Sequence, residues 1–366
     1  MNNSPTVLEI NLSSIEHNLN FFRSELNPET KVLAVVKASG YGSDPILMAK
    51  ALEKLQVDYF AVAYADEGIA LRNSGITTPI LVLHPQLQNL EIISQNNLEP
   101  NLYSKRMLNE FLKLANILGL KNYPVHIKFN TGLNRLGFDT SDIDYVCEKL
   151  KEQNVVHVKS IFSHLVASED EEEKEFSLGQ IEKFKSICST FSSRMGYNPI
   201  RHMSNTSGIL NYPETHFDMV RLGLGLYGFT NLTEKNSNLK NVLTLKTVIS
   251  QIHDIKKGES VGYNRGFHAE RNMKTATLPL GHADGFFRSL GNGKTYVSIN
   301  NKKSPVIGNV CMDMIMIDVT DIPCKEGDEV IIFNSREDIL QMADHSDSIS
   351  YEILTAWGNR IKRVLK

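Results

Sequence analysis

Tryptophan occurs once and cysteine only four times in 366 residues, and no stretch of eighteen apolar residues occurs anywhere. The lack of a long apolar run excludes a membrane-spanning helix. Cys147, Cys188, Cys311 and Cys324 stand apart with no CxxC pair. They are too few and too scattered for a disulfide framework, so a reducing compartment is expected. Neither sign of charge prevails: 39 Lys and Arg face 42 Asp and Glu. No basic segment is left to bind nucleic acid or an anionic membrane, and neither is expected as a partner. The eleven histidines include no HExxH and no pair at helical metal-ligand spacing, so no metal is expected. The opening MNNSPTVLEINLSS lacks the basic and apolar regions of a secretory leader, and a cytoplasmic location is expected.

What is present is an alternation. Runs suited to strands buried on both faces occur at Val32–Val36, Tyr59–Ala63, Pro79–Leu83, Val125–Phe129, Val158–Phe162 and Met219–Leu222, with weaker candidates near Leu98 and Ile200. Helical patterns separate most of them, at Pro45–Leu55, Asp66–Asn73, Lys105–Leu118, Ile143–Lys151 and Phe176–Phe191. A capping box of Ser13 and Glu16 predicts an earlier helix behind the short extended segment Val7–Ile10. Eight strands in a βα alternation match a closed (β/α)8 barrel better than an open doubly wound sheet. After about Asn236 the texture changes to strand-like segments at Val242–Ile252, Lys274–Leu280, Lys294–Asn300, Val306–Val319 and Glu329–Phe333. Gly291-Asn292-Gly293 and Asn300-Asn301 supply hairpin signals between them. The expected division is a barrel over 1–235 and an all-β domain over 236–366, with the first extended segment free to pair into the second domain.

In a parallel barrel the chemistry sits where the strands end. The first buried run delivers Lys37, followed by Gly40, Tyr41 and Gly42. A partly desolvated lysine there has a lowered pKa and can attack a carbonyl. Another run contains Lys128 and leads to Arg135, a residue able to grip a carboxylate in a bidentate manner. Others end in Ser163-His164, in His202-Met203-Ser204-Asn205-Thr206, and in Arg221 before Gly223. Each of these alone has an ordinary structural explanation. Together they describe a cofactor site: glycine amides and Thr206 for a phosphate, Lys37 for an aldehyde, Arg221 for a ring acceptor. Pyridoxal phosphate fits that description.

The segments AVVKASGYGSD, HIKFNTGLNRLGF, SHL, HMSNTSG, VRLGLGLYG, VGYNRGF, LPLGHADG and GNVCMDM, in this order, resemble those of the alanine racemases over nearly the whole chain. The resemblance implies pyridoxal-phosphate-dependent interconversion of L- and D-alanine, serving peptidoglycan synthesis. It implies Lys37 as the lysine that binds the cofactor and the base on one face of the substrate, with Tyr263 as the opposite base. Tyr263 would act across the interface of a homodimer whose chains share their active sites. Tyr41, Thr206 and the amides near Gly223 and Leu224 would hold the phosphate, and Arg221 would face the pyridine nitrogen. His164 would lie between Arg221 and Tyr263 of the partner subunit, with His202 behind Arg221. Arg135 and Met312 would line the substrate carboxylate pocket, and Lys128 matches a lysine that is often carbamylated. His282, Asn130 and Leu365 depart from the family's usual residues, and Leu365 removes a phosphate-contacting tyrosine. Rival readings are a racemase of other or broader specificity, such as serine, an amino-acid decarboxylase, and a cofactor carrier without turnover.

Overall fold

The computed structural model describes residues 4–230 and 238–366. The expected boundary between residues 235 and 236 lies outside the described residues. After β1 (Val7–Ile10), the buried runs become β2 (Lys31–Val35), β3 (Tyr59–Val62), β4 (Ile80–Val82), β5 (Glu99–Leu102), β6 (Tyr123–Lys128), β7 (Val156–Phe162), β8 (Ile200–His202) and β9 (Met219–Leu222). β2 to β9 form one eight-stranded parallel sheet in the order β8-β7-β6-β5-β4-β3-β2-β9. The seam between β8 and β9 is bridged by the Asp218 N–H donating to Arg201 C=O at 3.1 Å and the Arg221 N–H donating to Ser204 C=O at 3.0 Å. The Arg201 guanidinium also donates twice to the Asp218 carboxylate, at 2.8 and 2.9 Å. This is a TIM-type barrel, and it belongs to a compact unit formed by Glu16–Gly40 and Pro45–Leu239.

The outer helices follow from apolar spacing and caps. Lys105–Ile117 begins where Ser104 Oγ accepts from Met107 N–H at 3.2 Å, and it buries Met107, Leu108, Phe111, Leu112 and Ala115 along one stripe. Burial of its larger apolar side chains contributes about 1.5–3 kcal/mol each. The first helix corrects the expected cap. It spans Leu12–Ser24, and Asn11 Oδ1, not Ser13, accepts from the Ser14 N–H at 3.1 Å. An asparagine ahead of Ser13 offers the same acceptor chemistry and takes the N-terminal place.

A second unit gathers the chain up to Ile15, Tyr41–Asp44 and Lys240–Lys366. Its strands are β1, β10 (Leu243–Val248), β11 (Gln251–Ile255), β12 (Ser260–Val261), β13 (Phe267–His268), β14 (Met273–Leu278), β15 (Tyr296–Ile299), β16 (Lys302–Ile307), β17 (Ile315–Asp318), β18 (Glu329–Phe333) and β19 (Lys362–Leu365). Nine of them form a sheet in the order β11-β14-β17-β16-β15-β18-β10-β1-β19. β1 pairs antiparallel with β10 and parallel with β19, where Leu365 lies opposite Ile10. Asn300 and Asn301, with φ of 50° and 61°, make the two-residue turn that pairs Ile299 with Lys302. The apolar runs 242–252 and 306–319 each proved to be two strands.

This unit is mostly β but also carries helices Arg336–His345 and Ser350–Thr355. The first opens with Ser335 Oγ accepting from Asp338 N–H at 3.1 Å, a capping signal that apolar periodicity alone passes over. Only Ile339, Met342 and Ala343 of that helix are buried, so its stripe is faint.

Candidate active site at the strand ends of the barrel

The chain leaves β2 at Lys37 through a run of left-handed residues: Ala38 (φ 52°), Ser39 (φ 55°), Gly40 (φ 61°), Tyr41 (φ 54°) and Gly42 (φ 77°). Three of these are not glycine, and each such residue costs about 1–2 kcal/mol. The strain is held by Glu67, near the start of helix Ala65–Asn73. Its carboxylate accepts from Ala38 N–H at 2.7 Å, Ala63 N–H at 2.7 Å and Tyr64 N–H at 3.2 Å. Sequence reasoning did not single out Glu67. Its signal was a carboxylate three residues after Tyr64, just beyond a strand end, where a capping glutamate sits. Tyr41 is buried at the end of this run, 6.2 Å from the Tyr351 ring, and burial pushes its phenol pKa up and keeps it a neutral donor.

The barrel brings four cations close together. Burial lowers the Lys37 pKa first, the charges of Arg135 and Arg221 lower it further, and Glu67 opposes them. Lys128, at the end of β6, is pulled down to about 7 by burial and by Arg135, Arg221 and Lys37. Arg221, on β9, is pressed to about 9 by burial and by Arg135, which still leaves it protonated at neutral pH. Arg135 is carried by a loop whose ends are clamped, with Asn130 N–H donating to Phe138 C=O and Phe138 N–H to Lys128 C=O, both at 2.8 Å. Asn130 Oδ1 ties the loop internally by accepting from the N–H groups of Gly132 and Asn134. Of the charges that shift these lysines and Arg221, Glu67 alone among the described residues is a carboxylate. A cluster so short of anions is suited to a ligand bearing phosphate or carboxylate.

Arg221 is the best-held member. Its Nη2 lies 2.9 Å from Ser163 C=O, 2.8 Å from Met203 C=O and 2.7 Å from His164 Nδ1, its two N–H groups shared among the three acceptors, while Nη1 donates to His202 Nδ1 at 3.1 Å. A guanidinium has only donors, so both imidazoles accept here and carry their protons on Nε2. Burial and the surrounding cations hold both histidine pKa values well below the usual one, in keeping with neutral rings. The Phe162 ring stacks on His202 at 4.7 Å and lies under Arg221 at 5.6 Å.

Where β9 ends, Thr206 Oγ1 accepts from Gly225 N–H at 3.2 Å. The buried Gly223 and Leu224 amides find no acceptor in the backbone network of the described residues. These features suit a phosphate oxygen, which takes several N–H and O–H donors at once. Lysine for the aldehyde, arginine for the ring nitrogen and these donors for the phosphate are the chemistry that pyridoxal phosphate requires, and the residues fit it.

Tyr263 and Met312 belong to the second unit. Tyr263 is 70% exposed on a turn whose next two residues, Asn264 and Arg265, are left-handed, and Asn309 Nδ2 donates to its carbonyl at 2.8 Å. Met312, also exposed, is braced through its carbonyl, which accepts from Ala283 N–H at 2.9 Å, and the neighbouring Cys311 carbonyl accepts from His282 N–H at 3.0 Å. The two loops approach so closely that a Cβ at Gly281 would lie 2.3 Å from the Met312 carbonyl oxygen. Gly281→Ala is therefore expected to cost about 1–3 kcal/mol by overpacking. A denaturant melt that superimposes on the parent's would contradict this close approach.

Family comparisons agree with this geometry. Residues 10–231 match the family described as alanine racemase, N-terminal domain, and residues 242–365 match alanine racemase, C-terminal domain. The alanine racemase of Methanococcus maripaludis is 34% identical, the alignment covering 98% of each chain. The alanine racemase of Clostridium difficile 630 superimposes with a TM-score of 0.94 at 32% identity, over 99% of this chain and 96% of that one. The Bartonella henselae alanine racemase with covalently bound pyridoxal phosphate gives a TM-score of 0.88 at 28% identity, over 99% of both chains. With both domain families matched in order and relatives aligned end to end, the chain belongs to the alanine racemase family of isomerases.

Proposed function

We propose that this protein racemises alanine with pyridoxal phosphate by a two-base mechanism, in a homodimer whose active sites are shared, and so supplies D-alanine for peptidoglycan. The observation that carries the reading is the carboxylate-poor cluster of Lys37, Lys128, Arg135 and Arg221 around the end of β2. Family membership supports the cofactor and the reaction class; the assignment of roles is ours.

When bound, the cofactor supplies an aldehyde for the amine to join and a ring that accepts charge as the α-proton leaves. Lys37 would hold the aldehyde until the substrate's amine takes its place there, and its freed amine would then take or return the α-proton on one face. Its lowered pKa keeps a larger neutral fraction than an ordinary lysine has. Tyr263 of the partner subunit serves the opposite face, and its high exposure within one chain suits a side chain that works on another. Arg221 would donate to the ring nitrogen and, by staying protonated, would keep that nitrogen from gaining a proton of its own, which would favour simple proton exchange over side reactions. His164, with Nδ1 occupied by Arg221, offers its Nε2–H outward toward Tyr263 of the partner subunit. Thr206 and the Gly223 and Leu224 amides would hold the phosphate and Arg135 would receive the substrate carboxylate, while the same roles for Tyr41 and Met312 rest on the family resemblance.

Lys128 has a further role in this scheme. A pKa of about 7 leaves much of its amine neutral at neutral pH, and a neutral amine adds carbon dioxide. The nitrogen forms the new bond to carbon and releases a proton to solvent, so a cation becomes an anion beside Arg135. In 13C-bicarbonate buffer a carbamate carbonyl resonance is expected that Lys128→Met lacks. Identical spectra from the two proteins would remove the assignment.

The function itself is tested by incubating the cofactor-loaded protein with single L-amino acids in deuterated water, followed by chiral chromatography with mass detection. Deuterated D-alanine forming faster than any other D-product is expected. Faster inversion of serine would keep the mechanism and change the substrate, and release of carbon dioxide would identify a decarboxylase. No exchange on any amino acid would refute the proposal.

A further inference from the structure

The barrel interior contains a polar chain that the reaction scheme does not use. Glu99 on β5, His126 on β6, Ser160 on β7 and His202 on β8 are all buried, the last three completely. His126 Nε2 lies 2.7 Å from Glu99 Oε2, His126 Nδ1 lies 2.5 Å from Ser160 Oγ, and Ser160 Oγ lies 2.8 Å from His202 Nε2. His202 Nδ1 meets Arg221 Nη1 at 3.1 Å. Four adjacent strands thus contribute one residue each to a line of hydrogen bonds that runs across the barrel to β9.

The proton positions follow by elimination. Arg221 can only donate, so His202 Nδ1 accepts and its single proton sits on Nε2, donating to Ser160 Oγ. The Ser160 hydroxyl proton then goes to His126 Nδ1. That ring carries its proton on Nε2 and donates to Glu99. Every donor points the same way, from the guanidinium to a carboxylate. A second proton on His202 would face the Arg221 donor, and a second proton on His126 would leave the Ser160 hydroxyl accepting twice with no partner for its own proton, so the line is satisfied throughout in one arrangement, with a charge of opposite sign at each end. The rings are also held sideways, with the Tyr59 edge 5.9 Å from His126, His126 edge-on to His202 at 6.5 Å, and Phe162 stacked on His202. Besides His126, the charged and titratable groups that face Glu99 among the described residues are Arg72, Tyr59 and Tyr123.

We propose that Glu99, His126 and Ser160, acting through His202, are positioning residues that fix the aim of the Arg221 guanidinium and place a distant balancing carboxylate behind it. The value of this for the reaction rests on the reading that Arg221 faces the ring nitrogen. Polarisation along a buried, fully satisfied line of bonds strengthens each of them. It gives an arginine crowded by Arg135 and two lysines a counter-charge without placing a carboxylate where the ligand binds.

The test uses the full-length chain labelled with 15N-histidine, before and after loading with pyridoxal phosphate. Both His126 and His202 are expected as neutral rings with an unprotonated Nδ1 and a slowly exchanging Nε2–H. Ser160→Ala, which cuts the line in its middle, is expected to shift the His202 and His126 Nε2–H signals. It should lower kcat about 10-fold, the scale seen when an outer partner of a metal-bound imidazole is removed, with KM for alanine and cofactor occupancy held. Ser160→Thr restores the hydroxyl and is expected to recover both the signals and the rate. If Ser160→Ala does not fold, Glu99→Gln is read in the same way, with the His126 Nε2–H resonance moving toward that of a bond to a neutral acceptor. An Nδ1–H tautomer or an imidazolium at either histidine would overturn the proposal. So would a Ser160→Ala protein with unchanged histidine signals and unchanged kcat. The spectra need no turnover, so a chain that failed to racemise alanine would still show whether the line exists.

Discussion

Lys37→Ala is expected to lower alanine racemisation by about 10,000-fold, the upper range for loss of a positioned base, because the same residue also anchors the cofactor covalently. The same variant should release pyridoxal phosphate on dialysis, with loss of the visible absorbance that the parent retains. The argument rests on placement. Lys37 stands at the end of a buried strand, on a left-handed turn clamped by Glu67, among three other cations. Burial and the neighbouring arginines make its ammonium form costly, so activity should persist to lower pH than an ordinary lysine base would allow. The sign is fixed by the cause: the working form is the neutral amine, the lowered pKa extends it downward, and acidification through that pKa removes it. A pH profile whose acidic limb sits where a solvent-exposed lysine titrates would contradict this account.

Tyr263→Phe is expected to lower inversion by about 100- to 10,000-fold, the range for one general acid–base group, while leaving a more specific trace in exchange. With Lys37 intact, the enantiomer whose α-proton faces it should still exchange deuterium with retention of configuration. The other enantiomer should exchange far more slowly. If both enantiomers continue to invert at the parent rate, Tyr263 is not the second base. Because Tyr263 is proposed to act on the partner subunit, Lys37→Ala and Tyr263→Phe chains should complement one another when mixed. One site of a mixed dimer then carries both defects and the other carries neither. Recovery of activity on mixing two inactive proteins is the expected result, and no recovery would place both bases on one chain.

The barrel was legible because parallel strands buried on both faces read as continuous apolar runs. Even short β8 and β5 left a trace near Ile200 and Leu98. The second unit was less so. Its apolar run at 242–252 hides a break at Ile249 and Ser250, and that at 306–319 hides the reversal between the antiparallel β16 and β17, because Val310, Met312 and Met314 keep the connection apolar in composition although both methionines are exposed. β12 and β13 are two residues each, too short to have a period. The strand-end residues Lys37, Arg221, His164 and His202 stood out by position and chemical type. Glu67, Glu99, His126 and Ser160 did not, because their roles consist of what they touch across neighbouring strands. Glu99 opens a strand and His126 sits within one, and nothing local marks either as polar by necessity. Asn11 shows a finer limit: two good caps two residues apart compete, and the sequence does not rank them.

The pairing of β1 with both β10 and β19 has a consequence for how the protein is made. Val7 lies opposite Lys362 as well as Lys246, so one strand at the start of the chain waits for partners translated near its end. Such a sheet has high contact order and is assembled late and slowly. The parallel barrel strands emerge from the ribosome in spatial sequence from β2 to β8 and can pair as they appear. A stalled chain lacking its last residues therefore presents β1 as an open edge, and such edges invite association with other chains. Removal of β19 should accordingly show itself less in the barrel's own melting than in aggregation during refolding.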